Sequence, residues 1–81
     1  MENKHEIDKE PIRTIGDNLK NILEERSVTG TKLAKLTGLD ASYIYDIIKN
    51  KKANPSIKIV IKISKVLNVD IDKLLYKVDF D

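Results

Sequence analysis

The chain predicts an all-α protein, a compact bundle of five short helices within 81 residues. Three observations predict it. From Ile15 onward, apolar residues recur at three- and four-residue spacing, the period of a helix with one buried face. Residues that favour helix starts, namely Thr29, Asp40, Ser56 and Asp70, punctuate that pattern. Gly38 falls between two of the apolar stripes, with the small Ala34 four residues before it.

The elements follow in order. Residues 1–13, MENKHEIDKEPIR, are polar and mixed in charge, with Ile7 and Ile12 the large apolar residues after Met1. They read as a flexible N-terminal arm with no core of its own. His5 lies in that arm as a solvated residue, since a lone His makes neither a metal site nor a triad. Thr14 followed by Asp17 resembles a capping box, and Ile15, Leu19, Ile22 and Leu23 repeat at helical spacing. The first helix is therefore expected from about residue 15 to 26. Thr29 caps a second helix over roughly 30–36. Asp40, through its carboxylate, caps a third over roughly 41–49. Asn50 is expected in the left-handed conformation that ends the third helix. Lys51 to Pro55 is a polar loop.

Ser56 then caps a fourth helix, IKIVIKISKVLN. Here Ile57, Ile59, Ile61 and Ile63 alternate like a strand, while Ile57, Val60, Ile61, Ser64 and Leu67 make a helical stripe. Length and the preceding cap favour the helix. Asp70 caps a short fifth helix through Leu74 and Leu75. In the tail YKVDFD, Tyr76, Val78 and Phe80 alternate with charged residues, as in a short extended segment. The organisation is an arm (1–13), one folded domain (14–76) and a C-terminal tail (77–81).

The segment Thr29 to Lys49, TGTKLAKLTGLDASYIYDIIK, poses a packing problem. Two helices that cross steeply over a three- or four-residue turn must approach closely. Ala34 is small enough for that approach. Gly38 suits a left-handed turn residue because it carries no Cβ. Leu33, Leu39, Ile44 and Ile47 fill the wedge. This register is that of a helix-turn-helix.

Composition bounds the function. Charged residues make up 35% and hydrophobic residues 41%, and the net charge is +2, so the placement of charge matters more than its sum. There is no cysteine, which excludes disulfides, thiol catalysis and cysteine-ligated zinc. The folded region holds no paired carboxylates, no Cys/His set and no Gly-rich phosphate loop, so neither an enzyme nor a cofactor or metal is expected. No run is long and apolar enough for a membrane span, and no signal peptide is apparent. The expected location is the cytoplasm, associated with the nucleoid.

With its elements in order, the chain resembles the Cro/C1-type (XRE-like) helix-turn-helix family of bacterial and phage regulators, with a lambda-repressor-like bundle. The resemblance covers about residues 15–75 and rests on LAKLTGLDASYI, on NPS before the fourth helix and on KVLNVDIDKLL. Three departures stand out. The family often has Gln at the first position of helix two, where this chain has Gly30. The family tends to pair an Arg in helix one with a Glu late in helix three, where this chain has Leu23 and Ile48. Replacing both partners of a buried ion pair together is tolerated, whereas losing one is costly, so Leu23 and Ile48 are expected to meet in the core. Asn50 stands where the family usually has Gly.

The resemblance implies binding of double-stranded DNA, with the third helix entering the major groove. The positions it brings to base edges are Ala41, Ser42, Tyr43 and Asp46. Ala41 can pack on a thymine methyl, Ser42 can bond several bases and Asp46 can accept from cytosine N4. Tyr43 offers area and a hydroxyl, or else covers the core. Asp46 either reads a base or repels phosphate. Tyr45 is open between solvent, a partner and DNA. Phosphate contacts are assigned to Thr29, Gly30 and Thr31 at the start of helix two, and to Lys32, Lys35, Lys49, Lys51 and Lys52, unless these lysines serve only solubility. Residues 29–55 hold these five lysines against Asp40 and Asp46, so the small net charge conceals a basic face.

The expected partner is an operator with an inverted repeat, bound by a homodimer. Helix five and the tail, with Tyr76, Val78 and Phe80, either form the dimer contact or fold back on their own core. The leading expectation is a transcriptional repressor of phage or mobile-element type. The alternative is an antitoxin or protein-interaction module on the same fold, with a protein partner held by the tail or the arm.

Overall fold

The computed structural model describes residues 11–52 and 55–76. Within them run α1 (Pro11–Arg26), α2 (Gly30–Thr37), α3 (Ala41–Ile48), α4 (Ile57–Leu67) and α5 (Asp72–Leu75), with no strand among the described residues. The expectations for His5, Ile7, Val78 and Phe80 fall outside the described residues.

Every helix contributes to one core. Leu19 and Leu23 come from α1, Leu33 and Ala34 from α2, Ile44 and Ile47 from α3, Val60, Ile63 and Leu67 from α4, and Leu74 from α5. Full burial of such a side chain is worth about 1.5–3 kcal/mol, which explains why helices this short, marginal in isolation, persist together.

The first four helices end in the same way. Ser27, Gly38, Asn50 and Asn68 each adopt a positive φ, of 56°, 78°, 64° and 56° respectively. In each case the next residue's N–H reaches five residues back: Val28 to Leu23 O, Leu39 to Ala34 O, Lys51 to Asp46 O and Val69 to Ser64 O, at 2.8–3.1 Å. These are Schellman closures, which satisfy carbonyls that the helix end leaves open.

Several sequence expectations need correction. Helix α1 covers Pro11–Arg26, so residues 11–14 are already helical ahead of the start expected near residue 15. Thr14 therefore lies within the helix rather than at its start. Asp40 occupies the N-cap of α3 but makes no side-chain cap bond. Its carboxylate is exposed, and water competes for it. Asp70 does not cap α5; Ile71 does, and Asp70 contributes its backbone carbonyl to the N–H of Lys73 at 2.9 Å. In α4 the buried stripe is Val60, Ile63, Ser64 and Leu67, while Ile57 and Ile61 are 56% and 39% exposed. Apolar residues cover more than half of this helix's circumference, so periodicity alone leaves its buried arc open. The assignment of helix over strand holds, with Ser56 Oγ accepting from the N–H of Ile59 at 3.3 Å.

Two side chains of α1 tie the far elements down. The Arg26 guanidinium donates to Leu67 O at the end of α4, where a cation also favours the helix dipole. The Asn18 amide donates to Leu74 O at 2.9 Å and to Tyr76 O at 2.8 Å, closing the four-residue helix α5. Asn18→Asp removes the donor and sets a carboxylate against two carbonyls. It is expected to cost about 2 kcal/mol, read as a lower urea midpoint and as faster amide exchange at Leu75 and Tyr76. Asn18→Ala should cost about half as much.

Candidate nucleic-acid interface

The turn between α2 and α3 is built from both sides. Thr29 takes extended backbone (φ −85°, ψ 161°), and its Oγ1 accepts from the N–H of Lys32 at 3.0 Å. Helix α2 closes at Gly38, as its lack of a Cβ suggests. Thr37, 6% exposed, braces the corner: its hydroxyl donates to Leu33 O at 2.9 Å. Leu33 and Ile44 are fully buried, Ala34 is 5% exposed, and Leu39 is half-buried against the same core. The wedge is packed as the segment's register requires. Leu23 is 4% exposed and Ile48 is half-buried against the core. Leu23 and Ile48 thus each lie in or against the apolar core.

Helix α3 turns Ile44 and Ile47 inward. With 3.6 residues per turn, the opposite face carries Ser42, Tyr45, Asp46 and Lys49. Ser42 and Lys49 are exposed, and Tyr45 and Asp46 are half-buried. Ala41 and Tyr43 instead lean on the core. Tyr43 is engaged from outside too, with Lys52 Nζ 5.5 Å from its ring centroid, a cation–π contact that holds the lysine near α3. Of the four candidate base readers, Ser42 and Asp46 thus share the outer face, while Ala41 and Tyr43 flank it.

The candidate phosphate contacts fall at the two ends of the helical pair. Thr29, Thr31, Lys32 and Lys35 are exposed along α2, while Gly30 is buried. At the other end, the N–H groups of Lys51 and Lys52 both donate to Asp46 O, at 2.8 and 3.0 Å. The chain therefore folds back on α3 and gathers the exposed Lys49, Lys51 and Lys52 at its C-terminus.

Gly30 is buried for a reason that the sequence alone conceals. A Cβ built on it would lie 2.8 Å from Cζ and 2.9 Å from Cε1 of Tyr45. The ring of Tyr45 covers this backbone, and its hydroxyl lies 3.3 Å from Thr31 Oγ1. Gly30 and Tyr45 are one packing unit joining α2 to α3. The readable signal was the helical phase of Tyr45, three residues after Ser42 and four before Lys49.

Comparison with known proteins matches this geometry. A helix-turn-helix family model covers residues 19–74. The HTH-type transcriptional regulator SinR of Bacillus licheniformis is 35% identical over 65 residues, which are 80% of this chain and 59% of that protein. SinR of Bacillus subtilis (strain 168) is 36% identical over 61 residues, 75% of this chain and 55% of that protein. The chain thus spans little more than half the length of these curated relatives. No solved structure matches significantly. No helix among the described residues is long and apolar enough to cross a membrane. The α2–turn–α3 geometry and the family match over most of the chain together establish that this protein belongs to the Cro/C1-type helix-turn-helix family of DNA-binding transcription regulators.

Proposed function

We propose that this chain binds double-stranded DNA with sequence preference and represses transcription in the manner of a phage or mobile-element regulator. One observation carries the reading: the core-opposed face of α3 is polar and accessible at Ser42 and Lys49, and three exposed lysines crowd the end of the same helix. Ser42 and Asp46 read base edges, and Ala41 and Tyr43 touch the groove from its flanks. Lys32, Lys35, Lys49, Lys51 and Lys52, with Thr29, Gly30 and Thr31, meet phosphates. One module covers one half-site, so a homodimer on an inverted repeat is the working assembly. The location that goes with this role is the cytoplasm, at the nucleoid.

A second reading, an antitoxin or protein-interaction module, draws on the exposed Ile57 and Ile61 of α4 and on Tyr76 at 62% exposure. Selection of bound duplexes from a random pool, followed by a salt titration, separates the two. A DNA-binding regulator enriches one operator and loses more than about a hundredfold in affinity between roughly 50 and 200 mM salt. A pure interaction module does neither. Asp46→Ala is expected to relax preference at a single base position by about 1 kcal/mol, and Ser42→Ala by less, because a hydroxyl can bond several bases. If Asp46→Ala instead strengthens all duplexes alike, Asp46 repels phosphate and reads no base.

A further inference from the structure

We propose that Tyr45 is a positioning residue for DNA binding, and that it acts through Gly30. The inference rests on the DNA-binding reading above. Tyr45 lies between Ser42 and Lys49 along the axis of α3, on the side of their face nearer α2, yet it is only half-exposed. Its ring lies on the bare backbone of Gly30, with Cζ, Cε1 and Cε2 at 2.8, 2.9 and 3.2 Å from the position a Cβ would take. Its hydroxyl lies beside that of Thr31. One aromatic ring therefore fixes the outer face of α3 against the first turn of α2 and keeps its own bulk off the surface around Ser42.

Gly30 makes this arrangement available. The atoms that a Cβ would strike are the far end of a rotatable side chain, not backbone. The protein can therefore accept an alanine by swinging the ring away. Leu33 and Ile44 fill the interior at 0% exposure, so the ring can move only towards solvent, over the face that carries Ser42 and Lys49. Folding is little affected, because the higher helix propensity of alanine offsets the lost ring contact. What changes is the shape that α3 offers to a groove.

The test is a thermodynamic cycle of wild type, Gly30→Ala, Tyr45→Ala and the double variant. Each is measured for its urea midpoint, for affinity to the duplex that wild type selects from a random pool, and for affinity to a random-sequence duplex. Gly30→Ala is expected to keep the wild-type midpoint and to lose about tenfold in affinity for the selected duplex, within the range of coupling seen for contacting pairs. Its affinity for the random duplex should fall less, so the preference narrows. Adding Gly30→Ala to Tyr45→Ala should change neither affinity further, because no ring remains to be displaced. The inference is overturned if Gly30→Ala binds like wild type, if the two substitutions act independently, or if the affinity loss is matched by a fall in midpoint. A wild-type protein that binds no duplex at any salt concentration overturns the DNA-binding reading itself, and this inference with it. Wild type that binds while the cycle is additive overturns the role of Tyr45 alone.

Discussion

Gly16→Ala is expected to cost about 3 kcal/mol of folding stability or more, at the upper end of what overpacking a core produces. The reason is where the added methyl would go. A Cβ on Gly16 would lie 2.2 Å from the backbone oxygen of Ile47 and 2.4 Å from Asn50 Oδ1. A backbone oxygen at the end of α3 cannot rotate aside, so α1 and α3 must separate, and the core to which Leu19, Ile44 and Ile47 belong is disturbed with them. Asn50 has little room to yield, since its Nδ2 donates to Asp17 Oδ1 at 3.1 Å and its Oδ1 is buried with no hydrogen-bond partner among the described residues. Stability of about 0.05–0.15 kcal/mol per residue is the whole reserve of an 81-residue chain, so the loss is a large part of it. Gly16→Val should leave no cooperative transition. Gly38→Ala is the control: apart from its chain neighbours, no described residue comes within 4 Å of its Cβ position, and its φ of +78° resists substitution, at a cost of about 1 kcal/mol. Urea midpoints at constant slope rank the two. An unchanged midpoint for Gly16→Ala would show that α1 and α3 do not approach this closely.

That contrast also explains which features the sequence displays. Gly38, Asn50, Thr29 and Ser56 act through bonds to residues a few positions away, and residue type advertises such roles. Ser27 and Asn68 take the same left-handed conformation, but Ser carries a Cβ penalty there and nothing in its neighbourhood announces the turn. Gly16 looks like a weak point in a helix until α3 is laid across it. Asp40 and Asp70 have the preferred cap chemistry, yet a preference does not force the bond when the side chain can stay hydrated. In α4 both arcs are apolar, and only the neighbouring helices decide that Ile63 is buried while Ile57 is not. At the candidate interface, the inward turn of Ile44 and Ile47 was legible and fixes Ser42 on the outside. The pairing of Gly30 with Tyr45 was not, because it joins residues on two helices that sequence patterns treat separately.

Lys49→Ala, Lys51→Ala and Lys52→Ala combined are expected to weaken the binding of one protomer to its half-site by several hundredfold at about 0.1 M salt, and that of a dimer to its full site by the square of this factor. The size follows from counterion release: each phosphate neutralised contributes about 0.9 to the slope of log affinity against log salt, hence somewhat under tenfold per contact at that concentration. The salt slope of each protomer should fall by about three, and discrimination between selected and random duplexes should persist, since phosphate contacts carry no base information. Folding should be nearly untouched. All three side chains are exposed, and the closure of α3 uses the backbone N–H groups of Lys51 and Lys52 rather than their side chains. The stacking of Lys52 on Tyr43 accounts for at most about 1 kcal/mol. A matched triple on α4, Lys58→Ala with Lys62→Ala and Lys65→Ala, removes the same charge from another exposed surface. If affinity responds to the charge of the whole protein, the two triples will weaken binding equally. If it responds to lysines placed against the sugar–phosphate edge, the α4 triple will change the slope little, because charges more than about 10 Å from the phosphates are screened at this salt.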